Sequence, residues 1–387
     1  KVSGLNPDVV IVGCADYSEN TVRTALKQVL IPLGGLDWVV PGMKIAIKAN
    51  LVTFLKPEKA ATTHPSLICE LVRMLAERGA DVVVGDSPGG LYTAAFVNRV
   101  YSAAGMKAVK QAGGRLNQNF EEKEAEFPEA SVCRKFRYTA WLDDADAIID
   151  FCKLKTHGMM AMTCGAKNMF GAIPGTVKPE YHFRYPDPRD FARMIVDLNE
   201  YFKPRLTIVD AVECMEGNGP TGGTPRHMGV LLAGENPHKV DLVCAGLIGL
   251  KRGDVPTLGA ALERGLIPER AEELTVSGDL SAFVISDFQR IATGNSHLFA
   301  GDGKSLKGKL TSAFLSTVLA QKPALKPIGC VGCGVCCNIC PVKAITMVEK
   351  KPKIDRKKCI RCFCCQEFCP QSAMTVHRTA IARLLDR

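Results

Sequence analysis

The chain has 387 residues, 47% of them hydrophobic, and carries 49 Lys and Arg residues against 40 Asp and Glu residues. A chain of this size and composition can bury a large core and divides into two or three domains. No apolar run is long enough to span a membrane and no signal peptide is visible, which excludes a membrane-spanning protein and predicts a cytoplasmic one. The start at Lys1 leaves open that a leader was removed.

Apolar runs alternate with helix-like stretches over the first 280 residues. The runs predict strands at about Val9–Cys14, Lys44–Val52, Asp81–Asp86, Asp146–Leu154, Leu206–Val212, Val230–Ala233 and Glu273–Val276. The stretches between them predict helices at about Glu19–Val29, Thr63–Arg78, Leu91–Ala112, Arg189–Tyr201, Val240–Leu250 and Thr257–Arg264. This order predicts an α/β fold with a three-layer body around a mostly parallel sheet.

Three local patterns refine this prediction. Thr63 is the expected N-cap of the second helix, with Pro65 in its first turn. Residues 113–143 are polar and irregular, so we expect a connection or a small antiparallel excursion there. Residues 216–225 contain too many glycines for regular structure.

The sequence divides into a body, a linker and a small C-terminal domain. We assign residues 1–297 to the α/β body and residues 298–327 to a basic linker with one helix, about Leu310–Ala320. Residues 328–387 form the C-terminal domain and its tail, with short strands near Ile345–Val348 and Lys351–Ile354.

Two copies of the spacing C-x2-C-x2-C-x3-C-P define that C-terminal domain. The first copy is Cys330, Cys333, Cys336 and Cys340, and the second is Cys359, Cys362, Cys365 and Cys369. The spacing is typical of 4Fe–4S ligands, so we predict a small α+β ferredoxin-like domain with two 4Fe–4S clusters. Zinc knuckles and disulfides are the alternatives.

The fourth cysteine of each run ligates the other cluster in two-cluster ferredoxins. We therefore assign one cluster to Cys330, Cys333, Cys336 and Cys369, and the other to Cys359, Cys362, Cys365 and Cys340. The other nine cysteines are scattered through mostly apolar segments, as buried reduced thiols are in intracellular proteins. Cys337 and Cys364, within the runs, are interpreted as packing residues.

The positive charge is concentrated at the C-terminal end. Residues 303–387 carry 16 basic and 4 acidic residues, whereas residues 1–302 carry 33 and 36. Two oxidised four-thiolate clusters, at about −2 each, compensate roughly a third of the excess. The remainder suits an acidic redox partner of the ferredoxin or flavodoxin type, or a larger enzyme complex. No nucleic-acid motif or aromatic platform accompanies the charge, so nucleic-acid binding is not expected.

Polar residues follow several predicted strands of the body, notably Asn50, Asp86 with Ser87, and the run from Lys155 to His157. Because ligands of parallel sheets bind beyond the carboxyl ends of the strands, these loops predict one cleft.

Positive charge is concentrated within this cleft, where Lys153, Lys155, His157 and Lys167 are close in sequence. With backbone N–H groups of Gly165, Gly171 and Gly175, these side chains could hold a carboxylate or phosphate. His157 could instead be a general acid/base or a metal ligand. The alternative is a structural histidine among surface lysines.

Other polar residues of the body have a functional and a structural interpretation of comparable weight. Glu216 and Asn218 lie in the glycine-rich loop and could contact a ligand. Asp210 and Asp241 could position basic residues or form caps and turns. Cys152 and Cys164 could be reactive or metal-binding, although buried thiols are commoner.

The motif Lys153-x-Lys155-Thr156-His157, continued by Thr163-x3-Lys167-Asn168-x2-Gly171, resembles the family called domain of unknown function 362. The Glu216-Gly-Asn-Gly-Pro loop and the Asn-Pro-x3-Asp241 turn extend the resemblance, which covers roughly residues 8–280 and the ferredoxin tail. It implies an iron–sulfur protein of anaerobic or redox metabolism and names no reaction.

The body is also distantly similar to the N-terminal domain of nickel-pincer lactate racemase. That domain has a catalytic histidine, a cofactor-anchoring lysine after nine intervening residues, and a nickel-binding histidine some fifteen residues later. His157, Lys167 and His182 have this spacing, whereas Ala166 and Asn168 replace the racemase's arginine and serine.

The leading hypothesis is a redox protein whose ferredoxin domain passes electrons to or from a small anionic substrate or cofactor in the body. His157, Lys167 and Lys155 are the predicted catalytic residues. The predicted cofactor-binding residues are Thr156, Asn168, His182, Glu216 and Asn218. The alternatives are a non-enzymatic electron-transfer subunit and a pincer-like metal-cofactor isomerase. The body could also hold a second cofactor or a metal, but no G-x-G-x-x-G motif identifies a flavin or nicotinamide there.

Overall fold

The computed structural model describes residues 6–291, 321–326 and 328–377, and the predicted linker helix Leu310–Ala320 lies outside them. The strands are β1 (Val9–Gly13), β2 (Lys44–Ala49), β3 (Asp81–Gly85), β4 (Arg115–Leu116), β5 (Glu122–Glu126), β6 (Lys135–Thr139), β7 (Ala147–His157), β8 (Ala161–Thr163), β9 (Leu206–Glu216), β10 (Thr224–Gly234), β11 (Val276–Ser277), β12 (Lys322–Leu325), β13 (Ile345–Val348), β14 (Lys351–Ile354) and β15 (Met374–His377).

The helices are α1 (Glu19–Leu30), α2 (Pro65–Ala76), α3 (Ala94–Ala103), α4 (Gly165–Asn168), α5 (Lys178–Arg184), α6 (Pro188–Phe202), α7 (Pro237–Leu247), α8 (Pro256–Glu263), α9 (Val335–Asn338) and α10 (Cys364–Glu367). Short 3-10 turns occur at Ile31–Leu33, Pro57–Lys59, Met106–Val109, Ala140–Asp144, Met169–Ala172, Arg252–Asp254, Ala271–Glu273 and Ser281–Phe283. No helix in the described part of the chain is long and apolar enough to cross a membrane.

Nine of the described strands form one sheet in the order β11-β1-β10-β9-β7-β2-β3-β4, with β8 paired to β7. The neighbours from β9 through β7, β2 and β3 to β4 are parallel, as are β11 and β1. Strand β10 is antiparallel to both β1 and β9. The prediction of a mostly parallel sheet is confirmed.

Helices cover both faces of this sheet because its strands are apolar on both sides. One hydrophobic core contains side chains of α1, α2 and α3, and the other contains side chains of α6, α7 and α8. Neighbouring residues of β7 alternate between them, with Phe151 in the first core and Cys152 in the second. These two cores make the body the three-layer α/β structure that the sequence predicts.

Two helix predictions need correction. The helix predicted over Leu91–Ala112 is interrupted, because α3 ends before Gly105, whose φ of +74° suits glycine. The N-cap of α2 is His64, whose side chain accepts a hydrogen bond from Ser66 N at 3.2 Å. Thr63 instead donates its hydroxyl to Phe151 O and joins α2 to the sheet.

The strands around the predicted cleft are longer than predicted. Strand β7 reaches His157 rather than Leu154, because β8 pairs with its last residues. Strand β9 continues to Glu216, paired with Thr224 at the start of β10. Strand pairing therefore places several residues of the predicted cleft on strands rather than in loops.

The ferredoxin-like domain has two short antiparallel pairs, β12 with β15 and β13 with β14. Helices α9 and α10 follow the two cysteine loops, one in each half. Strand β12 lies in the range predicted as linker, so residues 322–325 belong to the sheet of this domain. The residues predicted as an antiparallel excursion include β5 and β6, which form a separate antiparallel pair.

Candidate functional site

A polar cavity of about 60 Å³ lies at the carboxyl ends of β2, β3 and β7. Asn50 follows β2, Asp86 follows β3, and Lys155 lies near the end of β7; all three line the cavity. Because these strands are parallel, their carboxyl ends share one edge of the sheet. The structure thus brings these predicted cleft residues together.

Four lysines line this cavity: Lys48, Lys155, Lys167 and Lys178. Burial, and next the charge of Lys167, lowers the pKa of Lys155 to about 7, and burial lowers the pKa of Lys178 to about 8. An Asp86 carboxylate oxygen lies 2.7 Å from Lys48 Nζ and offsets part of this charge. The remaining positive charge favours an anionic ligand.

Asn168 joins the elements around the cavity. Its Oδ1 accepts hydrogen bonds from Lys48 Nζ at 3.1 Å and Asn50 Nδ2 at 2.9 Å. Its Nδ2 donates to Asp150 Oδ1 at 2.6 Å, and burial raises the pKa of this carboxyl group to about 8. Asn50 also accepts a 2.7 Å hydrogen bond from Lys155 Nζ. These contacts fix the lysines before any ligand arrives.

The glycines of the cleft have another role than the predicted one. The N–H of Gly165 donates to Asp241 Oδ1 at 2.7 Å, and the N–H of Gly175 donates to Ser87 Oγ at 2.7 Å. Both groups are therefore already bonded and are wrongly predicted as ligand donors. Gly171 lies so close to Asp86 that a Cβ atom would overlap the Asp86 carboxylate, so only glycine fits at this position of the cavity wall.

Glu367 of the ferredoxin-like domain reaches this cavity from α10. Its Oε1 lies 2.6 Å from His157 Nε2 and 3.6 Å from Lys167 Nζ. Burial opposes ionisation of Glu367, but the charge of Lys167 and the hydrogen bond from His157 outweigh it and hold its pKa well below the usual range. A carboxylate on the cluster-binding motif therefore contacts two predicted catalytic residues.

The hydrogen bonds of His157 identify its neutral form. Its Nδ1 accepts from Met159 N at 3.1 Å and Met160 N at 3.2 Å, so the ring proton lies on Nε2. Nε2 then donates to Glu367, and burial, followed by the charge of Lys167, lowers the pKa of His157 to about 4. Any proton that this imidazole exchanges must pass through Nε2.

Sequence reasoning did not select Glu367, Lys48 or Lys178. Glu367 pairs with a residue 210 positions away, a contact that local patterns cannot predict. Its sequence signal was present nevertheless, because it is one of only 4 acidic residues in the basic segment 303–387.

Asn218, a predicted cofactor-binding residue, joins the body to the ferredoxin-like domain. Its Oδ1 accepts from Val376 N at 3.0 Å and from Gln366 Nε2 at 3.2 Å. Gln366 also donates to Gly219 O at 3.0 Å. Phe363, which precedes α10, packs into the hydrophobic core of the body. The glycine-rich loop is therefore a docking surface for α10.

Three other predicted cofactor-binding residues do not line the cavity. Thr156 Oγ1 donates to Gly217 O at 2.9 Å, and Glu216 accepts a 3.0 Å hydrogen bond from Gln289 N. His182 is buried, stacked on Phe191 with 4.3 Å between ring centroids, and burial lowers its pKa to about 3. Their roles toward a cofactor stay predictions.

The acidic residues with open interpretations separate into two roles. Asp210 forms a buried 2.9 Å ion pair with Lys153 Nζ, which removes that lysine from the predicted anion-binding group. Asp241 accepts from the first backbone N–H groups of α4 and therefore acts as a cap. Cys152 and Cys164 are buried with their sulfur atoms 3.7 Å apart.

The eight motif cysteines line two separate small cavities of similar size, four in each. The first cavity is lined by Cys330, Cys333, Cys336 and Cys369. The second is lined by Cys340, Cys359, Cys362 and Cys365. The second cavity is also lined by Cys364. The motif cysteines are thus divided between the cavities as in the two crossed sets, and four motif thiols around each cavity suit a cubane cluster, but the ligand assignment itself stays a prediction.

The packing cysteines of the two runs differ from the motif cysteines. Cys337 donates its thiol to Ile345 O at 2.9 Å, whereas Cys364 is buried at the edge of the second cavity. Backbone N–H groups of Ala344 and Ala373 point at the sulfur atoms of Cys340 and Cys369 at 3.2 and 3.3 Å. Such donors stabilise thiolate ligands.

Comparison with solved structures gives low-similarity neighbours. The lactate racemase apoprotein from Thermoanaerobacterium thermosaccharolyticum aligns with a TM-score of 0.40 and 11% identity over 62% of this chain. The chain spans 57% of that racemase. A protein from Thermotoga maritima aligns with a TM-score of 0.37 and 15% identity, over 57% of this chain and 56% of that one.

Comparison with sequences gives a closer relationship. The thylakoid-associated protein sll1697 from Synechocystis sp. is 30% identical over 271 residues, which cover 68% of this chain and 81% of the relative. A family model described as a 4Fe-4S dicluster domain matches residues 322–370. The model described as Domain of unknown function (DUF362) matches residues 45–246, and the chain belongs to this family and carries a C-terminal 4Fe-4S ferredoxin domain.

Proposed function

We propose that the chain is an iron–sulfur redox protein whose ferredoxin domain passes electrons to or from a small anionic substrate or cofactor in the lysine-lined cavity. The observation that carries the proposal is the contact of Glu367 with His157 and Lys167. Glu367 lies two residues from Cys365 and two from Cys369. The cluster-binding motif and the cavity are therefore in direct contact.

Two 4Fe–4S clusters would occupy the ferredoxin domain. The proposed ligands of the first are Cys330, Cys333, Cys336 and Cys369, and those of the second are Cys340, Cys359, Cys362 and Cys365. Bound clusters supply one-electron transfer at a potential tuned by hydrogen bonds to sulfur and by burial. The division of the eight cysteines between two cavities supports this assignment.

The cavity residues would bind and orient the anion. Lys155, Lys167 and Lys178 would supply its positive contacts, since burial makes each charge interaction stronger than in water. Asn168 would hold the lysine wall in place through its hydrogen bonds. His157 would hold a proton at Nε2, the atom that faces Glu367.

The partner that exchanges electrons with this domain is proposed to be an acidic redox protein of the ferredoxin or flavodoxin type, or a larger enzyme complex. The basic composition of residues 303–387 supports an acidic partner. A cytoplasmic location is part of the same proposal.

A non-enzymatic electron-transfer subunit is the second candidate. The observation that favours it is the docking of α10 on the glycine-rich loop, where Gln366 and Asn218 are hydrogen-bonded. A body that only holds the ferredoxin domain would need these contacts and no ligand in the lysine cavity.

Anion binding by the cluster-loaded full chain separates the two candidates. Acetate, lactate and inorganic phosphate would be titrated anaerobically while the thermal midpoint and the electron paramagnetic resonance spectrum of the reduced clusters are followed. At least one anion should raise the midpoint of the wild type and of the exposed-site control Lys110→Gln, because binding to the native state stabilises it. The effect should be absent in Lys167→Gln. If none of the three anions has an effect, the result favours the hypothesis of a non-enzymatic electron-transfer subunit.

A further inference from the structure

The two cysteine cavities differ in their surroundings. Both cavities have buried cysteines, but Phe363, which lines the second cavity, packs into the core of the body. At the first cavity, Cys333 is exposed, alone among the 17 cysteines, all of which lie in the described part of the chain. The second cavity therefore faces the body, and the first reaches the solvent.

Apolar side chains are exposed beside the first cavity. Val331 lines this cavity and is 64% exposed, and Ile328, two residues before Cys330, is 93% exposed. Within residues 321–326 and 328–377, these are the two most exposed of the large hydrophobic side chains. Exposed apolar side chains at one functional edge are typical of a protein interface.

Basic residues border the same edge. Gly332 lies against Lys350, so close that a Cβ atom would contact the lysine Cβ at 2.8 Å, which places the β13–β14 turn beside the cysteine loop. Lys326, two residues before Ile328, is exposed as well. We call the surface formed by Lys326, Ile328, Val331, Cys333 and Lys350 the distal face.

The net positive charge of the whole domain adds to that of the basic residues at this edge. Residues 321–377 contain ten Lys and Arg residues and three Asp and Glu residues. One of the three, Glu367, is turned into the body, which leaves Glu349 and Asp355 as the exposed acidic residues. A basic rim around an apolar centre attracts an acidic protein and guides its orientation.

We propose that the distal face is the docking site of a small acidic one-electron carrier protein. The carrier would lose or gain one electron at this face, and the chain would gain or lose that electron at the adjacent cysteine cavity. The second cysteine cavity, which faces the body, would then exchange electrons with the ligand of the lysine-lined cavity. This inference rests on the proposed redox function and adds a fixed order to its two cysteine cavities.

The test is the rate at which a reduced two-iron ferredoxin of net negative charge reduces the cluster-loaded full chain in a stopped-flow experiment. The distal-face variant is Lys326→Glu with Lys350→Glu. The matched control is Lys107→Glu with Lys110→Glu, which changes the same net charge at exposed positions of the body. Dithionite is the second reductant, because a small molecule needs no docking surface.

The distal-face variant should react at least about tenfold more slowly than the wild type at low salt, and its rate should depend less on ionic strength. The control variant should react like the wild type. Equal rates in the distal-face variant and the wild type, or equal slowing in both variants, would overturn the docking site. If dithionite fails to reduce the clusters of the wild type, the proposed redox function itself is wrong.

An anionic membrane surface is the competing occupant of a basic and apolar face. Co-sedimentation with vesicles containing phosphatidylserine would be measured for the same variants. Vesicle binding that is lost in the distal-face variant while its ferredoxin rate is unchanged would assign this face to a membrane and overturn the proposal. Unchanged vesicle binding with a slower ferredoxin rate would support it.

Discussion

Replacing Glu367 by alanine should loosen the ferredoxin domain from the body. The substitution removes the carboxylate that accepts a 2.6 Å hydrogen bond from His157 and lies 3.6 Å from Lys167. The side chain is 12% exposed, so little water is available to replace these contacts. Lys167, itself only 9% exposed, would be left without its carboxylate partner.

The cost follows from the contacts that are lost. A hydrogen bond to a charged group contributes about 1.5–3 kcal/mol, and removal of one partner of a buried pair costs about 3–5 kcal/mol. Because the two contacts share one oxygen, we expect a total of about 3 kcal/mol. Every 1.4 kcal/mol is tenfold, so local opening of the docked segment should become about a hundredfold more frequent. Glu367→Gln keeps the acceptor oxygen and should lose less.

Amide hydrogen exchange of the cluster-loaded chain measures this opening directly. Exchange in residues 361–377 should be about a hundredfold faster in Glu367→Ala, whereas the strands of the body should exchange as in the wild type. The control is Glu77→Ala, because Glu77 is an exposed glutamate paired with Arg23 at 3.1 Å. Unchanged exchange of residues 361–377 in Glu367→Ala would show that this carboxylate does not hold the domains together.

Three further substitutions test the rest of the site. Lys155→Met should remove a pH dependence of stability: the folded pKa near 7 lies below the ordinary lysine value, so the wild type should gain stability relative to the variant as pH rises from 7 towards 10, measured by thermal midpoints. Asn168→Ala should cost about 3 kcal/mol of unfolding free energy in chemical denaturation, because buried donors and acceptors lose their partner, whereas exposed Asn98→Ala should cost under about 1 kcal/mol. Cys333→Ala should lower the iron content by one cluster, about four irons, whereas Cys337→Ala should leave it unchanged.

The opposite result of each of the three measurements would contradict the corresponding prediction. Parallel pH profiles of the wild type and the Lys155 variant would mean that this lysine keeps an ordinary pKa in the folded chain. Equal losses of unfolding free energy in Asn168→Ala and Asn98→Ala would show that the Asn168 amide does not stabilise the cavity. Full iron content in Cys333→Ala would contradict the ligand assignment.

Spacing predicts the cluster ligands because each cube needs four thiolates, three from one short loop and the fourth from the other cysteine run. The apolar runs made the parallel sheet predictable, and its shared edge brings Lys155 and Asn50 together. Lys167 followed from its position after the same strand. These predictions concern short segments or the fixed geometry of parallel strands.

Long-range contacts were beyond the reach of the sequence patterns. Glu367 acts on His157 only because α10 docks on the glycine-rich loop, and no local spacing encodes that docking. The same loop carries Asn218, which contacts the ferredoxin-like domain because a glycine-rich segment can contact another backbone as well as a ligand; its cofactor role stays a prediction. The backbone N–H groups of Gly165 and Gly175 were misassigned because neighbouring side chains of the folded body already accept their hydrogen bonds.

We propose that the lysine-lined cavity beside Glu367 holds an anion next to a cluster-bearing domain. The most direct test is an anaerobic crystal structure of the cluster-loaded full chain, purified without added anions and measured at the iron absorption edge. We expect two iron cubes on the two crossed cysteine sets and the density of a small anion in contact with Lys155 and Lys167. Two cubes above a cavity that contains only water would contradict it.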